Sequence, residues 1–277
     1  MTEPWRRTDA LSPTDRFAVL DLLNRIESEL GREAIDENRH RSVVHQLPAE
    51  HWLRSVGDRL ISYAQVSRED PASVEMSGGG YDSTLADQLL ESHDSLVWWT
   101  RGLTIPVGTL VRTLHLMRAT LPVATSLVPD GATLRTFDFD RDASAWIAQN
   151  NEAFADHPEQ GAWTMRQLHE RTHEPWYDPS GFIVLEIDGE IAASCWTKIH
   201  ELHPERFGEI YVVSVHPRFQ HRGLGRVVTT RGLASLEARG VHQAILYVDE
   251  GNDAAQALYR SLGFRVDRTD CVTRLPV

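Results

Sequence analysis

Apolar positions follow helical spacing near the start of this chain. Phe17, Leu20, Leu23, Ile26 and Leu30 recur behind Ser12-Pro13, a cap followed by a first-turn proline, with Asp15 at the third helical position. The runs RLISYAQV (59–66) and SLVWWT (95–100) predict strands. DSTLADQLLESH (82–93) and TLVRTLHLMRA (109–119) predict helices. Residues 121–132, LPVATSLVPDGA, hold two prolines and a glycine with no strong period, and read as a linker.

The pattern beyond the linker is sharper. TLRTFDF (133–139) predicts a strand, followed by a helix over DRDASAWIAQNNEAF. GFIVLEI (181–187) and EIAASCWTKI (190–199) are strands joined through Asp188-Gly189, a hairpin signal. GEIYVVSV (208–215) is nearly apolar throughout, as a central strand is. A helix follows from Gly225 to about Arg239, with Val227, Val228, Leu233 and Leu236 available for burial. The strand HQAILYVD, the short helix AAQALYRSLG and the strand FRVDRTDCVTRL complete the order. The fold class expected is α/β, two tandem domains, each a mixed and mostly antiparallel sheet flanked by helices. The domain boundaries expected are 1–120 and 133–277, joined by 121–132.

A length of 277 residues agrees with two domains at roughly 100–200 residues each. The net charge of -12 argues against a nucleic-acid or anionic-membrane partner for the chain as a whole. It leaves room for a local cationic pocket, for which Arg218, His221, Arg222, Arg226 and Arg231 are the candidates. Cys195 and Cys271 are far apart and read as reduced thiols. His157, His200 and His203 match no ligand spacing, so no metal is expected. The first residues carry no secretory pattern and no apolar run reaches a membrane span of about 18 residues, which predicts a cytoplasmic chain.

The stretch QHRGLG (220–225) stands where a strand hands over to a helix. Free amides and the positive end of the helix dipole make such a turn an anion site, and Gly223 and Gly225 let a phosphate approach the backbone. Arg222, His221 and Arg226 add charge. The dinucleotide pattern GxGxxG fails at Val228.

VSVHPRFQHRGLG and, downstream, YVDEGNDAAQALYRSLGF resemble the pyrophosphate loop and the following strand and helix of the GNAT acetyltransferase superfamily. The resemblance implies acetyl-CoA as co-substrate. Its pyrophosphate would lie on Gln220, His221, Arg222, Gly223, Leu224, Gly225 and Arg226, and its pantetheine along Val213, Ser214 and Val215. The helix start Asn252, Asp253, Ala254, Ala255, Gln256 and Ala257 would complete the cofactor site. NNEAFADHPEQGAW, PWYDPSGF, CWTKIH and FGEIYVVSV narrow the resemblance to a tandem-domain branch. That branch acetylates the cysteinyl amine of Cys-GlcN-Ins, the last step of mycothiol formation.

Acetyl transfer to an amine needs a base, an oxyanion donor and an acid for the leaving thiolate. Alternation along 208–215 would put Glu209, Tyr211, Val213 and Val215 on one face. Glu209, at the end of the strand away from the phosphate turn, is the candidate base; a solvated strand-start glutamate is the plainer alternative, and the resemblance favours the base. By the same resemblance the Val213 amide is the oxyanion donor and Tyr259, seven residues after Asn252, the acid. Glu37, Glu159, Lys198, Glu209 and Tyr247 are the residues implied for the acceptor. The first half lacks the cationic turn: SVEMSGGGYDSTLADQLL has glycines but no arginine, and Asp82 would repel a phosphate. One acetyl-CoA site per chain and a monomeric enzyme are therefore expected. A protein N-terminus or another small amine as acceptor, and a non-catalytic acyl-CoA sensor, are the competing readings.

Overall fold

Short polar side chains open the helices. Ser12 accepts from the Asp15 amide and starts α1 (Pro13–Leu30), while Asp36 does the same for α2 (Glu37–His45). The computed structural model describes residues 3–68, 71–155, 161–202 and 205–275. Its N-terminal half holds β1 (Arg6–Thr8), α1, α2, β2 (Glu50–Val56), β3 (Arg59–Val66), β4 (Ala72–Met76), α3 (Ser83–Leu90), β5 (Leu96–Arg101) and β6 (Thr109–Thr120). The C-terminal half holds β7 (Ala132–Thr136), α4 (Phe139–Ala153), α5 (Met165–Thr172), β8 (Phe182–Ile187), β9 (Glu190–Leu202) and β10 (Glu205–Val215). It continues through α6 (Leu224–Ala238), β11 (Gln243–Asp249), α7 (Asp253–Ser261) and β12 (Arg265–Leu275).

All these strands join one sheet in the order β1-β2-β3-β4-β5-β12-β6-β11-β10-β9-β8-β7. Pairing among the described residues is antiparallel except for β4 with β5 and β10 with β11, one parallel pair in each half. The halves trade strands at the centre. β12 inserts between β5 and β6, and β6 lies between β12 and β11, so Met117 faces Val266 on one side and Leu246 on the other. Each half's sheet therefore ends on a strand supplied by the other.

This exchange corrects the helix expected over 109–119, which is the strand β6. Leu110, Leu114 and Met117 are spaced as on a helix, but pairing with strands more than 120 residues away overrides that local signal. The strand expected over 133–139 stops at Thr136, because Asp138 caps α4 through the Arg141 amide. On α1 the buried positions are Val19, Leu22 and Leu23, whereas Phe17 and Leu30 face solvent.

Two packed layers position the site. One is the core beneath α6 and α7, where Val228, Leu233, Leu236 and Phe264 meet Cys195 and Leu246. The other, on the opposite face of β8–β10, is an aromatic cluster of Trp146, Trp196, Phe182 and Phe137; Phe182 stacks on Trp196 with centroids 4.5 Å apart. Asp188 and Gly189 both have positive φ and make the β8–β9 hairpin. No helix among the described residues is long and apolar enough to cross a membrane.

Candidate active site

The site forms where β10 and β11 stop being partners. They pair only at Gly208 with Ala244 and Glu209 with Ile245, then part. A β-bulge helps to part them. Against β9, Ile210 faces Thr197 and Val212 faces Trp196, leaving Tyr211 as the extra residue. Tyr211 and Val212 consequently both join the aromatic cluster, while Ile210, Val213 and Val215 pack toward α6. The bulge overturns the simple alternation expected here: Glu209, Tyr211, Val213 and Val215 do not share one face.

Between the parted strands lies a cavity of about 800 Å³, bordered by Ile210–Val213 on one side and Leu246–Asp249 on the other. Glu209, Val213, Tyr259, Glu37, Lys198, Tyr247, Asn252 and Ala255 all line it. Glu159 lies outside the described residues. Ser214 points to the opposite face, hydrogen-bonded to Ser194 and Gln149, and Val215 packs beneath α6. On α7, Asn252 caps the helix through the Ala255 amide, and the Gln256 amide group donates to the carbonyls of Asp249 and Glu250. Gln256 thus holds the β11–α7 turn together. Asp253, Ala254 and Ala257 face solvent.

The glycine turn has the geometry of an anion site. His221 and Gly223 have φ of 61° and 75°, and α6 begins at Gly223 with no side-chain cap. The first amides of α6 are thus left for a ligand or water. A Cβ on Gly223 would meet no protein atom within 4 Å, so the space before the turn is open. Gln220, His221 and Arg222 are exposed there, with Leu224 buried behind them. The cations expected to gather here are partly committed elsewhere. Arg226 bonds Ser261 on α7, Arg218 pairs with Glu190, and Arg218 and Arg222 flank the Phe219 ring at 5.6 and 5.4 Å.

At the opposite end of the cavity a buried ionic network joins the two halves. Lys198 Nζ lies 3.3 Å from Glu33 and 3.5 Å from Glu37, and over the rings of Trp176 and Tyr211. Glu209 is 2.6 Å from His200 Nε2. Arg171 of α5 donates to the Tyr211 hydroxyl at 3.0 Å and also bonds Asn38 of α2. Burial pushes the Glu33 carboxyl up, but Lys198, His200 and Arg101 outweigh it and bring its pKa down to about 2. Glu37 moves the other way, raised by burial against Lys198 and Arg171. Lys198 is held above its ordinary value because its carboxylate neighbours overcome the burial that would lower it. Burial raises Tyr247 to about 12 and raises Tyr259 further still.

Sequence reasoning missed Glu33, Arg171 and Asn38, and weighed His200 only as a metal ligand. His200 was findable: it stands two residues after Lys198 in a strand, on the same face. Glu33 follows a helix end and has no local signal.

A parallel strand pair that parts over an uncapped glycine turn, with a carboxylate at the fork and a phenol on the same cavity, defines a GNAT-type N-acetyltransferase. Residues 143–264 match the Acetyltransferase (GNAT) family. The chain is 40% identical to the mycothiol acetyltransferase of Streptomyces avermitilis, over 96% of this chain and 93% of that protein. It is 36% identical to the mycothiol acetyltransferase of Kytococcus sedentarius, over 98% of each. The chain belongs to the mycothiol acetyltransferase family. In fold it is similar to a GCN5-related N-acetyltransferase from Sphaerobacter thermophilus, with TM-score 0.68, 21% identity, and 98% of this chain and 95% of that one covered. A tandem GNAT protein from the clavulanic acid biosynthesis pathway has the same TM-score at 15% identity, with 98% of each chain covered.

Proposed function

We propose that the enzyme transfers acetyl from acetyl-CoA to the cysteinyl amine of Cys-GlcN-Ins, completing mycothiol, and that residues 133–277 carry the chemistry. Residues 1–120, joined through 121–132, wall the acceptor end. The observation that carries this reading is that Glu209 and Tyr259 border one cavity whose wall is the parted edge of β10. The residues present suit acetyl-CoA: an open space before Gly223, uncapped amides at α6, and a strand edge free for pantetheine. Bound there, acetyl-CoA supplies an activated thioester.

The chain's own groups then divide the work. Glu209 takes a proton from the acceptor's ammonium, directly or through water, because only the free amine can attack. The backbone amide of Val213 donates to the developing oxyanion. Burial keeps Tyr259 protonated, so its hydroxyl has a proton to give the departing sulfur. Glu37, Lys198 and Tyr247, with Glu159, hold the acceptor's ammonium and hydroxyls. Both ligands are accommodated within one chain, which is the proposed working unit, in the cytoplasm.

The test is acceptor choice. Cys-GlcN-Ins is expected to be acetylated with a far higher kcat/KM than peptide amines or aminoglycosides. Comparable values for a generic peptide amine overturn the acceptor reading.

A further inference from the structure

Glu33 belongs to the connection between α1 and α2, in the half without a phosphate turn, yet its carboxylate reaches the base through one side chain. His200 stands between them, with Nε2 2.6 Å from Glu209 Oε2 and Nδ1 3.5 Å from Glu33 Oε1. The ring is 6% exposed and stacks on Phe207, with centroids 4.8 Å apart and planes 18° from parallel. Packing therefore restrains its plane, with Nε2 hydrogen-bonded to Glu209 and Nδ1 at ion-pair distance from Glu33. We propose that Glu209 and His200 act together as a base of two-proton capacity, with Glu33 as the positioning residue that orients the imidazole.

Acetylating a primary ammonium removes two protons from its nitrogen, and one carboxylate holds only one. In the first transfer an N–H bond of the ammonium breaks and an O–H bond forms on Glu209 Oε2. That proton is held between Oε2 and Nε2, whose 2.6 Å contact requires one, and it settles on Nε2 of neutral His200, with Nδ1 lying 3.5 Å from Glu33. Glu209 is then an ionised carboxylate again, and the positive charge has moved from the ammonium to an imidazolium between two carboxylates. The second N–H proton, released once nitrogen has bonded to the acetyl carbon, goes to Glu209. Tyr259 gives its phenolic proton to the sulfur; of the two protons on the pair, one restores the phenol through water and one leaves to solvent.

The charged groups facing the ring are Glu209 from β10, Glu33 from the α1–α2 connection and Lys198 from its own strand. Arg101 of β5, Glu37 of α2 and Tyr247 of β11 act on those groups from further out. Glu33, brought down to about 2 against its burial by Lys198, His200 and Arg101, is the ionised carboxylate that faces Nδ1 when the ring carries positive charge.

The inference rests on the proposed function in taking a primary ammonium as acceptor, Glu209 as the group that receives its first proton and Tyr259 as the acid. The test compares His200→Asn and Glu33→Gln in the full chain, each checked for acetyl-CoA binding and thermal midpoint. His200→Asn keeps a hydrogen-bonding group but no proton acceptor, and should lower kcat about 10²-fold with the KM for acetyl-CoA unchanged. Glu33→Gln removes the charge that favours the imidazolium, so the acid limb of kcat/KM should move to lower pH by about one unit. A wild-type kcat in His200→Asn overturns the proposal. So does a Glu33→Gln enzyme slowed equally at every pH with its acid limb unmoved, and that second variant decides if the first fails to fold. A wild-type chain inactive on Cys-GlcN-Ins but active on another primary amine would overturn the acceptor reading alone, and the variants are then read on that amine.

Discussion

The two halves share a plan and differ at one fork. In each, a parallel strand pair is crossed by a helix: β4, α3 and β5 in the first, β10, α6 and β11 in the second. β4 is only five residues long and four of them pair with β5, from Ala72 with Leu96 to Glu75 with Trp99. β10 is more than twice that length and keeps two pairs with β11 before the bulge at Tyr211 turns it away. The helix starts differ in the same sense. α6 opens uncapped on a glycine, whereas Asp82 fills the start of α3 with its own carboxylate, accepting from the amides of Thr84 and Leu85. The arginine missing from the turn's own sequence is present in space: Arg54 of β2 lies 2.7 Å from Asp82. The first half has an anion, a cation and a helix N-terminus in one place, all satisfied internally. On the proposed reading, a binding half differs from a supporting one in having an unfilled helix start beside a strand edge that leaves its partner.

Removing the open helix start should have the largest effect. Arg222→Ala combined with Gly223→Val places a branched side chain at φ 75° in the phosphate space. It should abolish acetyl-CoA binding, which in the wild type should titrate calorimetrically at one per chain. A stoichiometry near two, or tight binding surviving in the double variant, would break the comparison. Glu209→Gln should lower kcat by about 10² to 10⁴ with acetyl-CoA affinity little changed, and Tyr259→Phe should lower kcat by roughly 10² with the fold intact. Wild-type rates in both would mean that these residues only pack.

Asp82→Ala sharpens the contrast from the other half. It should cost about 1 kcal/mol for the lost cap, read as a lower thermal midpoint. It should bring no second acetyl-CoA, because β4 and β5 stay paired; a new binding site after this single change would show that the cap alone closes the first half. The smallest effect concerns acid stability. Glu33 titrates near 2 in the folded chain against an ordinary 4.5, so its contribution is complete above about 4.5 and is lost as pH falls through 2. Urea unfolding at stepped pH should show wild type losing more stability over that window than Glu33→Gln. Equal losses would mean that Glu33 is not held by the network.

Much of this was legible in sequence because its causes are local. Gly223 marks the uncapped turn, Asp188-Gly189 the hairpin, and Ser12-Pro13 the first helix, each through its own backbone preference. Val227, Val228, Leu233 and Leu236 were readable because a helix packed on a sheet buries a fixed stripe. The failures have non-local causes. Residues 109–119 are a strand because β11 and β12 flank them, and neither partner is near in sequence. The bulge at Tyr211 leaves no mark in IYVVSV, since one inserted residue among apolar ones preserves the composition while reversing the faces. Of the network around Lys198, the strand residues could be listed by alternation, but Glu33 is 165 positions from its partner and emerges only once the halves meet.

The exchanged strands also set a timetable for biosynthesis. When the first 120 residues have left the ribosome, β5 still exposes the edge that β12 will cover, and β6 has neither of its partners. That edge stays unfilled until residues 265–275 are made, so the N-terminal half spends most of its translation as an incomplete sheet. An unpaired edge is an invitation to the wrong strand, which makes the nascent chain, rather than the finished enzyme, the form in most need of a chaperone. Severing the chain in the 121–132 segment should therefore give two fragments that are each insoluble alone and recover activity only when synthesised together.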